Sequence, residues 1–578
     1  MLRENMNGNS NGRMDGGCAF GGRALVRRNW SMLASAFLVC AALIAARPAV
    51  SATCEDMLTL EIPEGTVTSA VPVPGPSFAA PDGNTYSGLP PFCQVTATLT
   101  PSSDSLINIW LWLPSNWNGR FEGTGNGGYA GTIAVAIPAM LAGLQAGSAV
   151  ASTDMGTFPS ANNDGDALVG HPEKWIDFGH RATHVMTTAS KQIVAAFYGQ
   201  APKYSYFSGC STGGQQAMME AERYPDDYDG ILAGDPAANR THVHTSVVWF
   251  YDVTHQTPGS FFTASDVNLM TSSILAACAV KSGGLATDPF LTDPRQCDWT
   301  PDAIACTSLL QTNCLTPEKV AAAKEIYAGT KNPTNGHLIF PGAVKGGENA
   351  SELGWQALES TPEPQFDSLF KWVFGPAWLW QTYDYNNDMA TVDAFLAPIL
   401  NANSTDLSLF KSHGGKLLMF HGWADPLIAP QDSINYYNRL VGSQSGGAAK
   451  ALKTTQGFAR LFMVPGMWHC SGGPGPNAFG NLVSAHVTAP PPPVDDAAHD
   501  ALLALQQWVE HGVAPDHIIA TKYVQDQPQL GIQMTRPICA YPKIPHYSGA
   551  GATNDAASFV CVDSKPANNP VPAPEYLD

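Results

Sequence analysis

Ser211 stands in Gly209-Cys210-Ser211-Thr212-Gly213-Gly214. Gly209-x-Ser211-x-Gly213 puts a serine at a turn so tight that only small neighbours fit, which lifts the hydroxyl out toward a substrate. Such a hydroxyl is a nucleophile only beside a base. His469 is followed directly by Cys470, and Cys210 directly precedes Ser211. One disulfide between those cysteines would hold a serine nucleophile beside its histidine base. The pentapeptide alone is also an ordinary Gly/Ser turn, so the joint pattern carries the reading.

Asp425 supplies the third group, in His421-Gly422-Trp423-Ala424-Asp425-Pro426. Ser211, Asp425 and His469 run in the chain order of α/β-hydrolases. In that arrangement His469 takes the Ser211 proton and returns it to the leaving group, while Asp425 fixes the imidazole tautomer and stabilises its charged form. An oxyanion needs backbone donors, for which the candidates are the amide of Thr212 and the loop around Gly127 and Gly128. That loop, Gly123-Thr124-Gly125-Asn126-Gly127-Gly128, lacks the Lys-Ser/Thr ending of a phosphate-binding loop and the spacing of a dinucleotide fingerprint. His242 and His244 alternate as on a strand and suggest a metal pair, but no third ligand accompanies them and no CxxC pair occurs anywhere, so no metal site is assigned.

The elements that must position these residues are legible as short apolar runs bounded by Pro, Gly and Asn. Strands are expected at Ile107 to Leu113, Ser148 to Thr153, Tyr204 to Phe207, Ile231 to Ala233, Lys416 to Phe420 and Arg460 to Val464. Helices are expected from Arg181 to Tyr198 with Gly199 as the stop, from the elbow through Glu222, and from Ala501 to His511. Strand, tight turn, helix around Ser211 is the context that a nucleophile elbow requires. Pro490 to Pro493 reads as a stiff surface connector. The pattern changes between about 237 and 412, where loops and local cysteines surround Trp355, Phe370, Trp372, Phe374, Trp378, Trp380, Tyr383 and Tyr385. The expected organisation is therefore an α/β-hydrolase core in two parts, 53–236 and 413–578, with a lid inserted at 237–412. Most of the lid aromatics are expected in its own core, with one or two facing substrate.

Arg23, Arg27 and Arg28 precede an apolar run from Met32 to Ala46 and the small-residue site Val50-Ser51-Ala52. Residues 1–52 are expected to be a signal peptide cleaved after Ala52, the run being shorter than the ~20 residues that span a bilayer. Arg27-Arg28 faintly resembles a twin-arginine signal, and the sequence around Cys40 makes a poor lipoprotein box. The leader holds six arginines against Glu4 and Asp15, so its removal takes the formal charge from −19 to −23. An acidic surface argues against nucleic acid or anionic membrane as partner. Ten cysteines remain, an even number that predicts five disulfides in an oxidising compartment, secreted or periplasmic. Spacing alone cannot fix the connectivity. Proximity favours Cys54–Cys93, Cys278–Cys297, Cys306–Cys314 and Cys539–Cys561, leaving Cys210 and Cys470 for each other.

GCSTGG, HGWADPLI and PGMWHC, with a cysteine flanking both Ser and His, resemble the tannase/feruloyl esterase family, which includes mono(2-hydroxyethyl) terephthalate hydrolases. GTGNGG and YDGILAG extend the likeness through nearly all of the mature chain. The resemblance implies a hydrolase core with a lid, the five disulfides paired as above, and hydrolysis of esters of aromatic acids, small or derived from plant polymer. It also places Ile428 in the pocket wall. No cofactor is required, although family members commonly carry a calcium loop, Cys-Asp-x-x-Asp-Gly-x-x-Asp-Gly. Here Ala279 and Ser282 occupy its first two carboxylate positions, and Asp288 is displaced. Calcium takes six to eight oxygens, carboxylates among them, so weak binding or none is expected. Two other functions stay open at this stage: a non-catalytic polyphenol or plant-polymer binder on the same fold, and a hydrolase of another acyl bond, such as a peptidase. Asn239, Asn349 and Asn403 lie in glycosylation sequons that matter only in a host that uses them.

Overall fold

The computed structural model describes residues 52–308, 310–481, 489–567 and 569–577. The expected signal peptide, except for Ala52, lies outside the described residues.

Ten strands form the central sheet: β1 (Glu61–Ile62), β2 (Gly65–Val73), β3 (Phe92–Leu99), β4 (Ile107–Pro114), β5 (Arg120–Thr124), β6 (Ala149–Thr153), β7 (Tyr204–Cys210), β8 (Gly230–Gly234), β9 (Lys416–Gly422) and β10 (Ala459–Val464). Their spatial order is β1-β2-β3-β4-β6-β5-β7-β8-β9-β10. Pairing is antiparallel as far as β4–β6 and parallel from β6 to β10. The exchange of β5 and β6, followed by a run of parallel strands, is the α/β-hydrolase sheet. Parallel strands covered on both faces read as continuous apolar runs, and β8 is buried at all five positions. The same holds for β9 from Leu417 onward. Helices α1 (Ala182–Tyr198), α2 (Thr212–Arg223) and α4 (Ala501–His511) cover the sheet, with α2 and α4 both packing on β8. Gly199 ends α1 at φ +70°, a left-handed turn that glycine adopts without a Cβ clash.

The expected strands and helices form within a residue or three of their predicted ends. The largest difference is at β7, which continues through Ser208, Gly209 and Cys210. Those small residues look like a loop in the sequence, yet Gly209 and Cys210 face Ala233 and Gly234 across the parallel register.

Residues 235–415 run between the adjacent strands β8 and β9 and carry helix α3 (Arg240–His255), two disulfides and the small ribbon of Thr330–Lys331 with Leu338–Phe340. His242 and His244 lie on α3, not on a strand, so they do not form an alternating pair. Burial of twelve of the sixteen α3 residues overrides the β-prone Thr-x-Val-x-Thr composition. His242 pairs with Asp393 at 2.9 Å, while His244 meets the Phe366 carbonyl at 2.9 Å. The two imidazoles therefore serve separate partners. Of the aromatic cluster, Trp355, Phe370, Trp372, Trp378, Tyr383 and Tyr385 are buried, and Phe374 and Trp380 half-buried.

Candidate active site

The elbow begins where β7 ends. Ser211 has φ +64° and ψ −119°, a left-handed conformation that for a non-glycine residue costs about 1–3 kcal/mol and needs support from its surroundings. Support comes from both sides. The Ser211 amide donates to the Gly234 carbonyl at 3.0 Å, its carbonyl accepts from the Ala237 amide at 3.1 Å, and the Gly213 amide donates to Asn126 O at 2.7 Å. A Cβ on Gly209 would lie 2.6 Å from the Gly213 carbonyl, which is why the turn needs glycine at that position.

Asp425 and His469 sit on the loops after β9 and β10. His469 Nδ1 and Asp425 Oδ2 are 2.6 Å apart, so the imidazole meets the carboxylate through Nδ1. The other carboxylate oxygen accepts the amides of Leu427 at 2.8 Å and Ile428 at 3.0 Å. Burial raises Asp425, but the His469 charge, together with bonds from His421 and His469, outweighs it and holds this carboxyl well below the usual range. For His469, burial disfavours the cation, yet the Asp425 charge and hydrogen bond prevail, and the imidazole is raised above its ordinary value. Asp425 is thus an anion that makes His469 a stronger base. His421, fully buried, adds a contact of 3.2 Å to Asp425 Oδ2 and is anchored by Ser433 at 2.8 Å.

The Cys210–Cys470 disulfide is present, with Cα atoms 5.9 Å apart, as are the other four expected bridges. It joins the residue before Ser211 to the residue after His469. Cys470 is itself left-handed, at φ +64°. Asp235, at the end of β8, reinforces the junction: Oδ1 accepts the Gly422 amide at 2.8 Å and Oδ2 accepts the Cys470 amide. One buried carboxylate therefore ties the acid strand to the base loop, and burial pushes it up to about 6. Sequence reasoning missed Asp235 and His421. Asp235 was visible only as the polar end of a strand, in Gly234-Asp235-Pro236, and no spacing rule links it to Cys470.

Thr212 opens α2, where first-turn amides have no intrahelical partner. Its hydroxyl donates to the Gly128 carbonyl at 2.7 Å, which fastens the glycine loop to the elbow. Gly128 has φ +54°, and a Cβ there would sit 1.9 Å from Asn162 O. Thr212, Gly127 and Gly128 are thus brought together with Ser211, as an oxyanion hole would need. Ile428 has a double part: its amide holds Asp425, while its side chain, 1% exposed, packs with Ala237, Val243 and Phe340. Beside it, Trp249, Phe250, Phe340 and Leu427 line an apolar pocket that reaches Asp425.

The loop after Cys278 does not fit a calcium ion. Asp288 gives one oxygen to the Arg536 guanidinium at 2.9 Å and the other to the Leu285 amide at 2.8 Å. Ser282 Oγ bonds to Ala279 O at 2.7 Å and accepts from Thr292 N at 3.0 Å. The loop's other carboxylate, Asp293, is paired with Arg295 at 2.8 Å, so both carboxylates already face guanidinium groups and neither is left for a hard cation that takes six to eight oxygens.

A family model for tannase and feruloyl esterase matches residues 93–562. An uncharacterised esterase of Xanthomonas campestris pv. campestris is 36% identical over 552 residues, covering 91% of this chain and 93% of the relative. A probable feruloyl esterase B-2 of Aspergillus flavus is 33% identical over 461 residues, covering 78% and 83%. The crystal structure of feruloyl esterase B from Aspergillus oryzae superposes with a TM-score of 0.77 at 28% identity, covering 88% of this chain and 100% of that one. With the hydrolase sheet and the Ser211 elbow in place, the chain belongs to the tannase and feruloyl esterase family of carboxylic ester hydrolases.

Proposed function

We propose that this protein is an exported serine esterase that cleaves esters of aromatic acids, of the feruloyl, galloyl or terephthalate monoester type, through an acyl-enzyme on Ser211. The observation that carries the reading is the Cys210–Cys470 bridge, which couples the elbow of Ser211 to a histidine already bonded to Asp425 at 2.6 Å. His469 Nε2 takes the Ser211 proton as Oγ bonds to the ester carbon. The tetrahedral oxyanion is held by the Thr212 amide and the loop at Gly127 and Gly128. Collapse breaks the bond to the alkoxy oxygen, which leaves with the proton from His469. Water, deprotonated by the same imidazole, then releases the acid and restores Ser211. The names of the Aspergillus relatives support a feruloyl group as the first acyl class to test. The insert at 237–412 serves as the lid in this scheme, and Trp249 and Phe250, which line the pocket that reaches Asp425, are its aromatics placed to meet a planar acyl group. Five disulfides support export to an oxidising compartment. No helix among the described residues is long and apolar enough to cross a membrane.

The test is parallel hydrolysis of methyl ferulate, methyl gallate and mono(2-hydroxyethyl) terephthalate by the mature protein and by Ser211→Ala. Turnover of at least one ester that disappears in the variant is expected. Turnover that persists in Ser211→Ala, or no turnover of any of the three by folded protein, would count against the proposal.

A further inference from the structure

Arg240 is 1% exposed, and no carboxylate lies within 4 Å of its guanidinium among the described residues. Burying a cation without a counter-ion is strongly unfavourable, and an apolar side chain of the same size is usually the more stable choice. Burial lowers Arg240 only to about 10, so it is charged at neutral pH. Its surroundings are aromatic, with the guanidinium carbon 4.7 Å from the Phe178 ring centroid and 5.9 Å from that of Tyr129. Tyr129 is locked in turn, accepting the Leu369 amide at 2.9 Å and donating to Phe366 O at 2.8 Å.

The fork of Arg240 reaches two places. Nη1 donates to Thr212 Oγ1 at 2.8 Å, and Nη2 donates to the Gly128 carbonyl at 2.9 Å. Since Thr212 Oγ1 also donates to Gly128 O, the three groups close a triangle. Besides Arg240, its corners are the residue after the nucleophile and the glycine loop, the two segments that must present donors to an oxyanion. The hydroxyl that Arg240 holds belongs to the same residue as the donor amide. The path runs over the 2.8 Å bond to Thr212 Oγ1, across Thr212 from its hydroxyl to its own amide, and over one further hydrogen bond, which bounds the distance from the guanidinium to an oxyanion on that amide at about 9 Å. In a dry site a full charge at that range acts on a developing anion far more strongly than it would in water.

We infer that Arg240 is a positioning residue for the oxyanion hole: it clamps Gly128 to Thr212 and supplies an uncompensated positive charge behind them, which the transition-state oxyanion neutralises. This rests on the reading of Ser211 as nucleophile. A residue of this kind acts on the transition state and not on the bound ester, so its removal lowers kcat and leaves KM in place. Methionine keeps the volume and removes both fork and charge. Lysine keeps the charge but cannot bridge two acceptors in one plane.

The experiment measures kcat and KM for methyl ferulate, with inhibition by benzeneboronic acid as a tetrahedral-adduct mimic, in wild type, Arg240→Met, Arg240→Lys and Ser211→Ala. Arg240→Met should lower kcat about 30-fold or more, below the 10²–10³ seen when a direct donor is lost. KM should stay within about threefold, and the boronate should weaken by a factor similar to the kcat loss. Arg240→Lys should lose about 3–10-fold in kcat at constant KM, and it decides the matter alone if the methionine variant does not fold. A folded Arg240→Met with kcat within threefold of wild type, or losses confined to KM, overturns the inference. Activity in Ser211→Ala overturns this inference together with the proposed function. A dead Ser211→Ala beside an unimpaired Arg240→Met overturns this inference alone.

Discussion

Replacing Cys210 and Cys470 together by alanine should damage the rate more than the fold. The bridge closes a separation of 260 residues, for which the chain-entropy relation gives about 5.5 kcal/mol of stabilisation as an upper figure. At about 2.1 cal/mol/K of unfolding entropy per residue over roughly 520 residues, that corresponds to a fall in Tm of only about 5 °C. The fold should therefore survive at assay temperature, all the more because the junction keeps other ties: Asp235 still accepts the residue-470 amide, and Asn481 Nδ2 donates to the residue-470 carbonyl at 2.7 Å. Both cysteines are buried among Leu232, Phe420 and Val464, where alanine leaves only a small void. Catalysis has less tolerance. Cys470 holds a left-handed backbone at φ +64° beside His469, and release of the covalent tie lets the His469 loop shift relative to Ser211, whose own turn keeps its backbone bonds. A displacement of about 1 Å between nucleophile and base costs on the order of 10²-fold in rate. The expected result is a cooperative melt lowered by about 5 °C, with kcat for the preferred ester down roughly 10–100-fold and KM little changed. Wild-type kcat in a folded double variant would refute the reasoning.

His469 acts as a base only when neutral, and Asp425 raises it above the ordinary imidazole value of 6.5; kcat/KM should therefore fall as pH drops through an inflection above 6.5. In Asp425→Asn the imidazole keeps its burial and loses its anion, so NMR of the labelled ring should find that inflection moved downward, with the rate reduced by about 10⁴; an unmoved inflection would contradict the assigned pairing. For the loop after Cys278, atomic emission on purified protein should find no tightly held calcium, and a chelator should leave Tm unchanged, because Arg536 already neutralises Asp288. One calcium per chain would reverse that conclusion.

Much of the site was legible because its chemistry is local. Gly209, Ser211 and Gly213 fall within five residues, and the clash that Gly209 avoids is with the Gly213 backbone, so the turn is written in one stretch of chain. The parallel strands were legible for a related reason: β8 and β9 are buried on both faces, and a continuous apolar run is the only pattern such a position allows. The two-residue alternation of His242 and His244 misled, since the same spacing on a helix buried nearly all round carries no strand information.

By itself the sequence determined the elbow, the order Ser211, Asp425, His469 and the strands that deliver them, because each depends on neighbours in the chain or on a burial pattern repeated along one element; the cysteine pairing it only suggested. Tertiary structure alone decided that Asp235 bridges Gly422 and Cys470, that Arg240 bonds to both Gly128 and Thr212, and that Arg536 pairs with Asp288. Each of those contacts joins segments between 28 and 248 residues apart. A buried charge finds its partner by the packing of the sheet, and no local pattern of residues encodes where that packing will bring it.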